Sequence, residues 1–245
     1  MAKHNVWMSV SDLMTGLMII FLFIAIAYIS RVKKNQTVLS DFVDVKTELH
    51  DKLIDKFKSD TARWQMTIGR DLNMTFTNPN VLFKTGSYDL TPAFKDILDE
   101  FLPKYFDILV KDTMYRHQIK EIRIEGHTDD VPAPQFHSDP YIANAILSQL
   151  RAVSVLWHFR SMPAFSRYTE EEQKMIEFWL TANGLSYGRA LDAEGNFCYE
   201  SGKEIDKDKS RRVEFRIVTS GEDVLEDFVK RNNLTHGKVS KDSVN

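Results

Sequence analysis

Hydrophobic residues follow three different patterns along this chain, and each predicts a different kind of structure. The first is an apolar run from Val6 to Ile29, broken by a single charge at Asp12 and by a few small polar residues, among them Ser9, Ser11 and Thr15. As an α-helix these 24 residues would span about 36 Å at roughly 1.5 Å per residue. That exceeds the roughly 30 Å hydrocarbon core of a bilayer, so one tilted transmembrane crossing is predicted. A cleaved signal peptide would show a shorter apolar region, about 7 to 15 residues, with small residues at its cleavage site. Tyr28-Ile29-Ser30-Arg31 is not such a site and no lipobox cysteine is present. A retained anchor is expected.

The second pattern covers residues 31 to 62, where charge is dense and Val38, Phe42, Val45, Leu49, Leu53 and Phe57 recur at steps of three and four. That spacing suits an amphipathic helix or short coiled coil, and equally a solvated helical linker. The third pattern is mixed. Met66 to Phe76 alternates, and Asn78-Pro79-Asn80 marks a turn. Thr91 followed by Pro92 starts a helix whose apolar face carries Phe94, Ile97, Leu98, Phe101 and Leu102. IKEIRIEG (119 to 126) and RRVEFRIV (211 to 218) alternate as half-buried strands. Between them lie a helix from about Tyr141 to Arg160 and a second helical pattern, EEEQKMIEFWLTANG, ending at Gly184. Strand–helix–strand–helix–strand predicts an α/β sandwich. The expected domains are 1–30, a short tail and membrane helix; 31–64, a helical linker; 65–220, the sandwich; and 221–245, a charged tail with a helical pattern at Val224 to Val229.

Composition narrows the function. A mean hydropathy of -0.32 makes most of the chain water-soluble despite its first thirty residues. A net charge of -3 supplies no basic footprint for nucleic acid. The lone Cys198 rules out an internal disulfide and a CxxC site.

Two places carry candidate chemistry. Asp12 is a carboxylate in hydrocarbon, which costs on the order of 2.5 to 3.5 kcal/mol when ionised at a helix centre. Ionisable residues so placed mark ion pathways. Ser9, Ser11 and Thr15 lie within a turn of it, and Gly16 permits close helix approach. A helix starting at Leu13 is the alternative, with 17 residues to span and Asp12 at the headgroups. The second place follows the strand ending in Gly126-His127-Thr128-Asp129-Asp130. On the next helix, Ile146, Leu150, Val153 and Trp157 share one side and are expected to face the sheet, with Asn144, Ser148 and Arg151 opposite. Asp129 and Arg151 together suit a zwitterion, one facing an ammonium and the other a carboxylate; an ordinary surface ion pair fits the same residues. His127, Asp129, Asp130, His137 and Asp139 lack the spacing of a metal site, and no nucleophile elbow or phosphate loop is present. No metal, cofactor or enzymatic activity is expected.

IRIEGHTDD, NAILSQLRAVSV and SRRVEFRI, in that order, resemble the OmpA C-terminal-like peptidoglycan-binding family over residues 65 to 220. The resemblance implies a βαβαβ-type domain that binds the diaminopimelate of the wall's stem peptide. Asp129 and Arg151 match the ligand-holding pair, with Asn144, Leu147 and Arg212 in support and Thr128 in the loop. Ser210 stands where that family usually has Asn, and 161 to 183 is longer than its usual connection. One membrane helix with an early acid, a linker and such a domain further resembles the MotB class of ion-driven stators, and SVSDLMTGLMIIFLF most resembles the stator-like subunits of Zorya anti-phage defence. That implies an inner-membrane, single-pass protein, N-terminus inside and domain in the periplasm. It also implies two copies within a pentamer of a MotA-like (ZorA-like) partner, with Asp12 carrying H⁺ or Na⁺. A flagellar stator subunit or a passive membrane-to-wall tether are the alternatives.

Overall fold

A computed structural model describes residues 2–84 and 86–220, without side-chain detail for 2–6, 8, 9, 34–42, 79 and 80. The helical pattern expected at 224 to 229 and the side chains of Ser9, Val38 and Phe42 lie outside what is described. The chain divides into two compact units, Met1–Asp44 and Val45–Asn245.

Helix α1 (Ala2–Phe57) begins in the first unit. Within it Val10–Lys33 is long and apolar enough to cross a membrane, with a mean hydropathy of 2.4 and none of its window buried by protein. The end of α1 belongs to the second unit. Leu49, Leu53 and Phe57 are fully buried there with Val45 packed beside them, so part of the predicted linker stripe is domain core. Phe57 packs at a tilt against Phe101 and Trp64, with centroids 5.3 Å and 6.1 Å away. Phe57→Ala should therefore cost about 3 to 5 kcal/mol, read as a lowered thermal midpoint of the domain. An unchanged midpoint would mean that this turn only rides on the surface.

The rest is one sheet with its longer helices packed on one face. Strands β1 (Met66–Ile68), β2 (Asn73–Phe76), β3 (Ile119–Gly126), β4 (Leu180–Gly184) and β5 (Val213–Thr219) stand in the order β1-β2-β5-β3-β4. Only β3 and β4 run parallel. The alternation sends Ile122, Ile124, Val213, Phe215 and Ile217 into the core, with Ile124 opposite Phe215 and Ile122 opposite Ile217. The predicted α/β class and the strand at 119–126 hold, and the strand predicted at 211–218 runs from Val213 to Thr219. Helix α2 (Pro92–Lys111) starts as its sequence predicts, the Thr91 hydroxyl accepting from Phe94 N at 3.1 Å. Its Phe101 contacts the rings of Phe57, Trp64, Phe76, Tyr105 and Phe215, with centroids 5.0 to 6.3 Å apart.

Two expectations are overturned. The helical pattern ending at Gly184 is a helix, α4 (Glu170–Trp179), only as far as Trp179; Leu-Thr-Ala-Asn-Gly continues as β4. A capping box of Thr169 and Glu172 starts α4, and parallel pairing with β3 claims the next five residues. Tertiary pairing outweighs a short helical pattern.

The second correction concerns helix α3 (Pro140–Ser161). Asn144, Ser148 and Arg151 are buried, whereas Ile146 and Val153 are exposed and Trp157 is 69% exposed. The buried face runs through Ala143, Leu147, Ala152, Val155 and Phe159, and the polar residues lie within it. Small residues explain the turn of the helix. A Cβ on Gly126 would lie 2.2 Å from Ser148 O, and one on Gly184 would lie 2.3 Å from Gln149 N. Helix and strand backbones thus nearly touch, and the Gln149 amide bonds Ala182 O at 3.0 Å and Gly184 N at 2.8 Å along the edge of β4. Any larger residue at Gly126 or Gly184 would force α3 away.

Candidate functional site

The close seat of α3 on β3 and β4 brings one pocket to the end of β3. Its volume is about 240 Å³, and Thr128, Asp129, Asn144, Leu147, Arg151 and Arg212 all line it. Six residues singled out from sequence therefore meet in one place. Asp12 lies in the apolar span of the other unit.

Arg151 reaches the pocket from α3 and is 8% exposed. Its Nε donates to Ser87 O at 3.0 Å, and its guanidinium lies 4.9 Å over the Phe83 ring. Its two Nη groups have no protein acceptor among the described residues. Burial lowers the Arg151 pKa to about 10; Asp129 nearby offsets part of that shift and Arg211 adds to it. The group remains a cation at neutral pH, held in a slot and aimed by a ring and a carbonyl.

Asp129 Oδ1 accepts from Val131 N at 3.2 Å, and Oδ2 lies 3.4 Å from Arg211 Nε. Its ion-pair partner is Arg211, which sequence alone did not indicate: Arg211 lies just before the start of β5, where strand alternation says nothing of its direction. Asn144 binds the loop, its Nδ2 donating to Val131 O at 3.0 Å and Pro140 O at 3.1 Å. Leu147 packs with Ala133 and Ala143 beneath the loop. Thr128 N donates to Ser186 O at 3.1 Å, while its hydroxyl is buried without a partner. Arg212 is buried, its Nε bonded to Glu214 and its Nη1 3.3 Å from Ser210 O, so it props the wall of the pocket. Ser210, the departure from the family pattern, binds Leu191 N and O.

The metal ligands considered from sequence are scattered in their roles: Asp139 caps α3 through Tyr141 N and Ile142 N, and His137 Nδ1 accepts from Asp139 N. A different trio converges instead. Glu125, His127 and Glu214 each place a ligand atom within 4.8 Å of the others. Arg212 holds Glu214, and Arg189 Nη1 lies 4.0 Å from Glu125 Oε2, so these carboxylates already face guanidiniums. The sequence hid the trio because Glu125 and Glu214 are distant in the chain and meet only as cross-strand partners.

His127 is 1% exposed, and neither ring nitrogen has a hydrogen-bond partner. Burial first, then Arg212 and Arg189, holds its pKa well below 6.5. Glu125 shifts the opposite way, raised by burial and by Glu214. A histidine kept neutral in the fold takes up a proton more readily when unfolded, so its contribution to stability is lost as pH falls below about 6.5. Glu125 partly opposes this, because its folded form binds the proton more readily. His127→Gln should flatten the fall in thermal midpoint between about pH 7.5 and about pH 5.5. An identical slope in both proteins would show that His127 contributes nothing to it.

Fold and site together define a class: a protein with, among the described residues, one helix able to cross a membrane and an α/β sandwich whose pocket sets one carboxylate among several cations. No family model matches the chain. Over 222 residues it is 34% identical to the Zorya protein ZorB of Escherichia coli (strain Crooks), covering 88% of this chain and 88% of that protein. The chain belongs to the ZorB family. Crystal structures of the periplasmic domain of Helicobacter pylori MotB are also similar: one at 16% identity and a TM-score of 0.41 over 66% of this chain and 84% of that one, another at 18% and 0.40 over 69% and 97%. Likeness at that level carries no further weight.

Proposed function

We propose that this chain is a wall-anchored stator subunit of an ion-driven rotary motor, acting in Zorya anti-phage defence. Kinship to ZorB across nearly nine-tenths of both chains carries the reading. A lone carboxylate in an otherwise apolar span supports it, together with an acid-and-arginine pocket in the domain.

In this reading the N-terminus is cytoplasmic, Val10–Lys33 crosses the inner membrane and the domain lies in the periplasm. Asp12 takes a proton or sodium ion from one side and releases it to the other. An unpaired charge in lipid is costly, so Asp12 requires a protein-lined path. A MotA-like ring around two copies of this chain supplies it. The side chain of Thr15 donates to Ser11 O at 2.8 Å, one turn of helix that carries its polar groups beside Asp12.

The pocket binds the diaminopimelate of a peptidoglycan stem peptide. The free end of that residue is a zwitterion. Arg151 pairs with its carboxylate, and Asp129 takes its ammonium in exchange for Arg211. The work of the chain is then mechanical and ion-conducting, not catalytic. Co-expression with a multi-helix MotA-like membrane protein tests the assembly. Purification through this chain should recover several partner copies per pair of chains; recovery of the chain alone would overturn the stator reading.

A further inference from the structure

The sheet face opposite the longer helices is polar, and it carries a second cavity of about 620 Å³ that shares only His127 and Arg212 with the first. Arg189, Arg212 and Arg216 line it against Asp71, Glu200 and Glu214. Three cations and three anions balance, so the lining has no reason to select a charged ligand. It selects one that donates and accepts at many points. Arg216 Nε and Asn73 Oδ1, both buried, have no hydrogen-bond partner; one is a donor and one an acceptor. At the rim stand Phe197 and Tyr199, the latter 93% exposed. An aromatic ring left in water beside a polar cleft offers an apolar face with a polar tip.

A neutral, many-hydroxylated ring fits these features: its hydroxyls bridge guanidinium and carboxylate while its C–H face lies on an aromatic. The volume is within the range of small-ligand sites. We propose that this cavity is a saccharide subsite, taking N-acetylated sugar of the wall polymer while the first pocket takes its peptide. The identity of the polymer rests on the wall-binding reading; the sugar chemistry rests on the cavity. Common walls at His127 and Arg212 let one polymer engage both faces of the domain's end. Two weak contacts so joined hold far more tightly than either alone.

The experiment uses the full-length chain in detergent and two separate probes, an oligomer of N-acetylglucosamine and free diaminopimelate, each titrated by calorimetry. The wild type should bind both. Tyr199→Ala should weaken the oligomer about tenfold and leave diaminopimelate unchanged; its side chain is outside the core, so the fold survives. Arg216→Gln should act in the same direction, and Arg151→Ala should do the reverse. Diaminopimelate binding with no oligomer binding overturns the saccharide subsite and leaves the first pocket standing. Oligomer binding insensitive to Tyr199 also overturns it. Oligomer binding without diaminopimelate binding supports the subsite and removes the reading of the first pocket.

Discussion

Cells carrying Asp12→Asn should lose phage protection and ion flux completely, while the complex still assembles and reaches the membrane. The substitution is close to isosteric and removes only the charge and the exchangeable proton. An ionised carboxylate within the apolar span is costly, so the variant inserts at least as readily as the wild type. Any loss then belongs to ion transfer and not to assembly. Plating efficiency under phage challenge, flux across vesicles and recovery of the complex from membranes make the three readouts. Protection retained in full with Asn at this position would favour a passive tether, in which the acid rests at the headgroups. Asp12→Glu keeps the chemistry and moves it by one methylene, so partial activity is expected there.

Arg151→Ala should abolish co-sedimentation of the full chain with purified sacculi. Removing one partner of a desolvated charge pair costs about 2 to 5 kcal/mol, or roughly thirtyfold to several thousandfold in affinity. The domain should weaken as well, because the guanidinium packs over Phe83 and bonds Ser87 O. Thermal unfolding must therefore accompany the binding assay. Arg151→Lys separates the two effects: it keeps a cation and a stem but loses the planar fork that matches a carboxylate. A folded Arg151→Lys chain that binds sacculi as well as the wild type would sink the role of a bidentate arginine. Asp129→Asn offers the complementary test, since it leaves Arg211 on Asp208 and removes the only carboxylate that lines the pocket among the described residues. Its binding should fall with little change in stability.

How much of this was legible beforehand follows from where each signal resides. Strand β3 was visible because alternation with a buried partner on one side writes itself into every second residue. Helix α2 was visible because Thr91 and Pro92 act locally on the first turn. Helix α3 was located correctly but turned the wrong way round. Apolar periodicity assumes that polar side chains face water, and here Asn144, Ser148 and Arg151 face a protein-lined pocket. Gly126 and Gly184 were the available clue. Their missing side chains allow the helix to approach on the face where bulky residues are absent. β4 was misread because five residues contain too little periodicity to compete with a preceding helix.

By itself the sequence determined the apolar span, its single acid, strand β3, helices α2 and α3, and the residue types that a charged pocket requires. Those are local properties, set by neighbouring side chains and by the length of a membrane. Only the tertiary structure decided which way α3 faces, that the end of α1 belongs to the domain core, and that Arg211 rather than Arg151 pairs with Asp129. It alone brought Glu125 and Glu214 together around His127 and opened a second cavity behind them. Each of these depends on contacts between segments distant in the chain, which packing establishes and no short window of sequence contains.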